Sequence, residues 1–230
     1  MRGVLFDLDG TLLDIDGDAF LERYLDALGP QLRPDLDLEA FRARVMAAAL
    51  PLLTAERLPA TVGDTFRSAL ALRLGLSQGA VAAAQARMDA RASLLGAIPH
   101  GRVPVAITCV DAALGAGLVC AVATTPIYGP AVIRRRLGWA GLARRPWALV
   151  TTSENMRACK PSPGYFREAA AKLGLPPEEC VMVGDDPYQD GPAAEAGMRF
   201  HLIPPGQAGL PAWQELLAEI DGGRRAAWSV

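Results

Sequence analysis

Apolar positions fall into two rhythms along the chain. Val4, Leu5 and Phe6 form a short unbroken run that ends at Asp7, the pattern of a strand buried on both faces. Gly10-Thr11 then marks a turn. From residue 19 to about 96 the spacing is helical. Leu21, Tyr24, Leu25 and Leu28 make one apolar stripe, and Phe66, Leu70 and Leu74 another. Asp18, Asp37, Asp64 and Ser77 are the expected N-caps, with stops at Gly29-Pro30, Pro51, Gly75 and Gly96. After Pro99-His100-Gly101 the rhythm changes. Apolar runs at 118–123, 148–151, 180–183 and 199–203 alternate with helical spacing near 103–115, 130–137, 163–173, 191–197 and 212–220. Residues 221–230 carry Gly222-Gly223 without periodicity and are expected to be loosely held.

This alternation predicts an α/β fold: a doubly wound, parallel, five-stranded sheet covered by helices on both faces, with right-handed crossovers. The helical stretch interrupts it as an inserted all-helical cap. The core domain is expected to span 1–15 and 98–230 and the cap domain 16–97, with crossings near 12–18 and 96–103. An insertion at the carboxyl end of a strand lies over the place where open α/β sheets bind ligands.

Composition narrows the function. A chain of 230 residues can bury a sizeable core plus an accessory unit. It is 51% apolar by residue count, which argues against disorder. A net charge of -2, from 25 acidic and 23 basic residues, gives no broadly basic surface and so no reason to invoke nucleic acid. Cys109, Cys120, Cys159 and Cys180 lack CxxC spacing and read as reduced core thiols of a cytoplasmic protein. With an apolar strand starting at Gly3, no signal peptide is expected. Two isolated histidines, His100 and His201, do not make a zinc site or a Ser/His system and are read as structural, as Trp139, Trp147 and Trp213 are read as packing aromatics. The apolar stretch 105–126 imitates a membrane span. Its Asp111 would cost roughly 2.5–3.5 kcal/mol at mid-span, and Gly115-Ala116-Gly117 splits it into a helix and a strand, so no membrane is expected. All but two of the basic residues are arginine; the exceptions are Lys160 and Lys172.

The polar residues that end the strands carry the chemistry. Strand one runs into Asp7-Leu8-Asp9-Gly10-Thr11, strand two into Thr124-Thr125, and the run at 180–183 into Gly184-Asp185-Asp186, with Asp190 at the next helix start. Lys160 follows the third strand and precedes Pro161-Ser162-Pro163. In a parallel sheet these gather at one edge. Asp7 and Asp9, two apart on an extended backbone, share a side, Asp185 adds a third carboxylate, and Asp186 is the candidate fourth. Two like charges ~5 Å apart repel by roughly 3 kcal/mol at an effective dielectric near 20, so the cluster holds protons or a cation. All-oxygen ligands suit Mg²⁺ beside a substrate phosphate, with the Thr124 hydroxyl and the Lys160 ammonium as anion donors. Lysine offers a compact charge where arginine offers a broad fork, a reason for Lys160 to escape the arginine bias. Taken singly, Asp-Gly-Thr is a turn, Thr124 a strand-end cap, Lys160 a loop cation, Asp186 a solvated acid and Asp190 a helix cap. Their order along the chain gives them joint meaning.

FDLDGT (6–11), VATT (122–125), CKPSPGYF (159–166) and VGDDPYQD (183–190), in that order, resemble the four motifs of the haloacid dehalogenase (HAD) superfamily, in its phosphatase branch with a helical cap after the first strand. The resemblance spans nearly the whole chain and implies a Rossmann-like core and a Mg²⁺-dependent phosphomonoester hydrolase acting on a small phosphorylated metabolite. It implies that Asp7 is a nucleophile forming an aspartyl-phosphate and Asp9 the general acid/base. Thr124, Thr125 and Lys160 would hold the phosphoryl group. Metal would be bound by Asp7, the backbone carbonyl of Asp9, and Asp185, with Asp186 or Asp190 in support. One departure is Thr125, where relatives often carry Asn. An acid at Asp9 favours phosphatase over dehalogenase, because a halide leaves without a proton. A phosphoglucomutase-like phosphotransferase, a 2-haloacid dehalogenase and a catalytically silent binding protein of this fold are the alternatives. A signalling receiver domain fits the chain order poorly, since here DxD opens the chain. Phe20, Tyr24, Arg44 and Arg67 are candidate cap residues for substrate selection, and the protein is expected as a monomer or homodimer.

Overall fold

The computed structural model describes residues 1–90 and 98–227. Strand β1 (Gly3–Phe6) sits at the centre of a five-stranded parallel sheet ordered β5-β4-β1-β6-β7, formed with β4 (Val119–Val122), β5 (Leu149–Val150), β6 (Cys180–Gly184) and β7 (Arg199–Leu202). Every residue of β1 and β6 is buried, which is why their sequences run apolar without alternation. Helices α5 (Pro104–Gly115), α6 (Pro130–Trp139) and α7 (Pro163–Leu173) precede β4, β5 and β6 in turn, and α8 (Leu210–Ala227) follows β7 and packs on α5. The apolar stretch 105–126 divides into α5 and β4, and among the described residues no helix is long and apolar enough to cross a membrane.

Between β1 and the rest of the sheet lie four helices: α1 (Gly17–Leu32), α2 (Leu38–Leu53), α3 (Val62–Leu74) and α4 (Gln78–Ala90). The chain enters and leaves this insert through an antiparallel ribbon of β2 (Leu13–Ile15) and β3 (His100–Arg102), pairing Leu13 with Arg102 and Ile15 with His100. No short-range turn joins these strands, so their pairing has no local sequence signal. The insert also docks on the core through backbone hydrogen bonds from Leu58 N to Arg157 O (2.6 Å), Val62 N to Met156 O (2.8 Å) and Gly63 N to Ser153 O (2.7 Å). One apolar cluster runs from Val4 and Phe6 through Phe20 and Leu28 to Phe41 and Leu74, continuous between sheet and insert.

Several local expectations change. Asp16, not Asp18, caps α1, and Thr61, not Asp64, caps α3. In both cases the expected acid lies in the first turn, where it meets the helix dipole instead. Asp37 and Ser77 do accept from the amides of Ala40 and Ala80. Helix α1 runs past Pro30 and α2 past Pro51. Only a fraction of a turn follows either proline, and buried Leu32 and Leu52 hold it against the core. Gly75 ends α3 in the left-handed conformation, while Gly96 lies outside the described residues. The helix expected at 191–197 is a single 3-10 turn, Gly191–Ala193, because a six-residue run closed by Gly197 (φ +94°) leaves no room for two α turns. The tail is helical to Ala227: Trp213, Leu216 and Ile220 anchor α8, and propagation outweighs the ~1 kcal/mol cost of each glycine at 222 and 223.

Candidate active site

Register builds the site. Phe6 pairs with Val122 on one side and Val183 on the other. The ladder continues with Asp7 N donating to Val183 O (2.8 Å) and Ala123 N to Phe6 O (2.7 Å). Asp7, Thr124 and Asp185 therefore leave neighbouring strands at the same carboxyl edge, the sequence-predicted place.

Asp7, Asp185 and Asp190 converge there, each offering a carboxylate oxygen within 4.8 Å of the others. Lys160 is only 1% exposed, and its Nζ donates to Asp7 Oδ1 at 2.6 Å and to Asp190 Oδ1 at 2.5 Å. Desolvation pulls its ammonium down, but Asp7 and Asp190 together outweigh this and hold it above its ordinary range, so it is charged. Burial pushes the Asp190 carboxyl up against the pull of Lys160. Burial, then the charge of Asp7, raises Asp185, opposed by a hydrogen bond from Thr11 Oγ1 to Asp185 Oδ1 at 2.9 Å. Three acids against one lysine leave the cluster short of positive charge. Two glycines show how tightly it is packed. A Cβ at Gly10, whose φ is +80°, would lie 2.2 Å from Asp185 Oδ2, and one at Gly184 would lie 2.0 Å from Asp190 Oδ2. The donor set is all hard oxygen, the kind that suits Mg²⁺.

Lys160 is set just before α7, whose first turn is capped by Ser162 and opened by Pro163. Tyr165, in that turn, is fully buried; its hydroxyl donates to the Thr124 carbonyl at 2.9 Å and lies 3.0 Å from Thr151 Oγ1. It fixes the strand-end backbone beside the cluster. Neither Tyr165 nor the Thr11 bond was singled out from sequence, although both lie inside the motifs.

Asp9 is not part of the acid cluster. The chain leaves the extended conformation after Phe6 and turns at Gly10, so the two-residue periodicity that would align Asp9 with Asp7 no longer applies. Its carboxylate pairs instead with Arg136, which is 1% exposed. The guanidinium carbon of Arg136 stands 4.6 Å from the ring centre of Phe20 and 5.1 Å from that of Tyr128. Burial lowers its pKa to about 9, with the charge of Asp7 opposing the shift. In the sequence Arg136 stands as the last of three consecutive arginines. The available signal was helical phase: it shares the buried face of α6 with Val132, Ile133 and Leu137, while Arg134 and Arg135 are exposed.

Asp186 is exposed and caps the turn that follows, accepting from Tyr188 N at 2.8 Å and Gln189 N at 3.2 Å. Thr124 and Thr125 face a cavity of about 480 Å³ enclosed by the sheet edge and the insert. Of the four cap candidates, Tyr24 lines this cavity and Phe20 is buried behind it against Arg136. Arg44 bonds the Ala40 carbonyl and Arg67 bonds Asp64, and neither is among the lining residues. His100 bonds the Ile98 carbonyl and stacks on Trp139, and His201 bonds the Ala212 carbonyl.

The sequence profile of the haloacid dehalogenase-like hydrolases matches residues 1–197, and the chain belongs to that family. A phosphoglycolate phosphatase of Xylella fastidiosa (strain 9a5c) is 31% identical over 208 residues, spanning 86% of this chain and 77% of its own. The N-acetylmuramic acid 6-phosphate phosphatase of Pseudomonas aeruginosa is 25% identical over 217 residues, spanning 89% and 84%. Within the family the chain thus stands with the phosphoric monoester hydrolases. CbbY from Rhodobacter sphaeroides, solved with phosphate, shares the fold at a TM-score of 0.59 and 24% identity, covering 91% of this chain and 88% of that one.

Proposed function

We propose that this protein hydrolyses small phosphomonoesters with Mg²⁺, through transient phosphorylation of Asp7. The observation that carries the reading is the convergence of Asp7, Asp185 and Asp190 within 4.8 Å, with a fully buried Lys160 bonded to two of them. Asp7 and Asp185, with Asp190 in support, are the residues that would hold the ion; magnesium there would offset the clustered negative charge and let a phosphate approach a carboxylate.

In the first step Asp7 Oδ attacks phosphorus, the bond to the leaving oxygen breaks, and that oxygen takes a proton from Asp9. In the second, Asp9 takes a proton from water, the water oxygen attacks phosphorus, and the Asp7–phosphate bond breaks to release inorganic phosphate. Lys160 and the Thr124 and Thr125 hydroxyls hold the transferring group, and Lys160 keeps Asp7 ionised and oriented. Arg136 holds Asp9 beside the cavity. The insert helices α1–α4 act as a cap that excludes bulk water. Asp9 at the cavity favours an ester, whose leaving oxygen needs a proton, over a carbon–halogen bond.

Phosphate release from p-nitrophenyl phosphate tests the reading: activity that requires Mg²⁺ and disappears with EDTA is expected. A rate indifferent to the metal would overturn it.

A further inference from the structure

One end of the cavity is the acid edge already described. Away from it the lining carries buried polar atoms without a partner among the described residues: the hydroxyl of Tyr128, in the loop after β4, and Oε1 of Gln85, on α4. Arg136 lines the cavity as well, and apart from its ion pair with Asp9 none of its guanidinium nitrogens makes a hydrogen bond. A further such atom, Oε1 of Gln189, lies on the loop between Asp186 and Asp190, at the acid end. Buried polar atoms are nearly always paired, so orphans gathered in one cavity mark where the polar groups of a ligand go.

These atoms form a connected strip. Tyr128 is 5% exposed; its ring lies edge-on to Phe20 at 5.3 Å and to Tyr24 at 5.4 Å, and the guanidinium carbon of Arg136 stands 5.1 Å from its centre. Packed on three sides, the ring keeps its hydroxyl out of bulk water. Tyr24 bonds Asp89, one helical turn beyond Gln85 on α4, so the strip runs from Arg136 through Tyr128 and Tyr24 to Gln85. Asp9, paired with Arg136, ties it to the acid edge. The strip holds both senses of hydrogen bonding. Tyr128 and Arg136 have hydrogens to give, and the Gln85 oxygen needs one. A hydroxyl accepts and donates, so it answers both. A carboxylate could accept from Tyr128 and Arg136, but it brings no hydrogen for Gln85 and would stand beside Asp9, which shares the same guanidinium.

We propose that Tyr128, Gln85 and Arg136 form a subsite for a hydroxyl on the organic part of the substrate, and that the natural substrate is a phosphomonoester of an uncharged alcohol bearing at least one further hydroxyl. The inference rests on the phosphatase reading above and deepens it. It also separates this chain from the activity in the name of its Xylella relative, because the organic part of phosphoglycolate carries a carboxylate and no hydroxyl.

The test measures kcat/KM of the wild-type protein with Mg²⁺ on two matched pairs, glycerol 1-phosphate against n-propyl phosphate and ribose 5-phosphate against n-pentyl phosphate. Phosphoglycolate supplies the anionic arm and acetyl phosphate a small activated reference. In at least one pair the hydroxylated ester is expected to exceed its alkyl counterpart by at least about tenfold, because the alkyl ester leaves the buried partners unpaired. No such preference in either pair, or a higher value for phosphoglycolate than for both hydroxylated esters, overturns the inference and leaves the phosphatase reading standing. No turnover of any ester, acetyl phosphate included, overturns the phosphatase reading itself. Tyr128→Phe supplies a second measurement, since it deletes one oxygen that has no protein partner and keeps the packed ring. The preference for the hydroxylated ester should fall at least about threefold while Tm of the free protein does not drop. An unchanged preference, or a lower Tm showing that the hydroxyl serves the fold, counts against the inference.

Discussion

The carboxyl edge of the sheet and the inner face of the helical insert bound one cavity, yet they are built on opposite terms. At the edge, two buried carboxylates, Asp7 and Asp190, and a buried lysine stand beside the half-buried Asp185, and each buried charge is costly on its own. Their positions are fixed by the sheet ladder, by bonds from Thr11 and Lys160, and by glycines that leave no spare volume. On the insert, helices hold one another through an apolar interior around Phe41, Val45 and Leu70, and the cavity wall is the continuation of that interior. The contrast bears on how the proposed reaction would divide its labour. On that reading chemistry would depend on the polar cluster at the sheet edge, and selection on the surface that the insert turns to the cavity.

That separation can be broken from either side. The largest effect is expected from Asp7→Asn, which removes the proposed nucleophile: kcat should fall by at least ~10³-fold, about 4 kcal/mol, with thermal stability little changed. Steady-state kinetics beside a melting curve would check it, and a variant as active as the wild type ends the assignment. Phe41→Ala should do the reverse. Phe41 is fully buried in the insert, and its truncation should cost about 3–5 kcal/mol in chemical denaturation while kcat on acetyl phosphate at low temperature stays within a few-fold. A loss of kcat as large as that of Asp7→Asn would show that the two regions are not separable.

Lys160→Arg keeps the charge and changes its shape in a fully buried seat, so a loss of at least about tenfold, ~1.4 kcal/mol, is expected in kcat/KM. Near-wild-type activity would mean that charge alone suffices there. The smallest effect concerns Asp89, at the end of α4. Burial first, and then the charge of Glu154, raise its carboxyl above the ordinary range, against a hydrogen bond from Tyr24. A carboxyl raised on folding binds more protons in the folded state, so its contribution is present below the unfolded pKa and is lost as pH rises through the folded one. Asp89→Asn should therefore raise Tm at pH 8 by on the order of 1–2 °C, an advantage that fades towards pH 4; the group is only half-buried, and solvent screens the rest. Melting curves at the two pH values decide it, and a lower Tm for the variant at pH 8 would reverse the sign argued here.

Much of the molecule was written in local pattern. The buried runs gave the five strands, and the polar residues following them pointed to Asp7, Thr124 and Asp185, with Lys160 in the loop after the third strand, because a parallel sheet sends every strand's carboxyl end to one edge. Periodicity also located the insert and dissolved the apparent membrane span into α5 and β4. Tertiary structure decided what no window of sequence contains. The β2–β3 ribbon joins residues on either side of the insert; Asp9 turned away from Asp7 towards Arg136; Asp190 keeps the N-cap position of the 3-10 turn but gives its carboxylate to Lys160 instead of to the turn's amides. Each of these depends on a partner far along the chain. Local spacing sets which residues a strand or helix presents, but the side chain that compensates a buried charge is chosen by whatever the fold brings within a few ångströms of it.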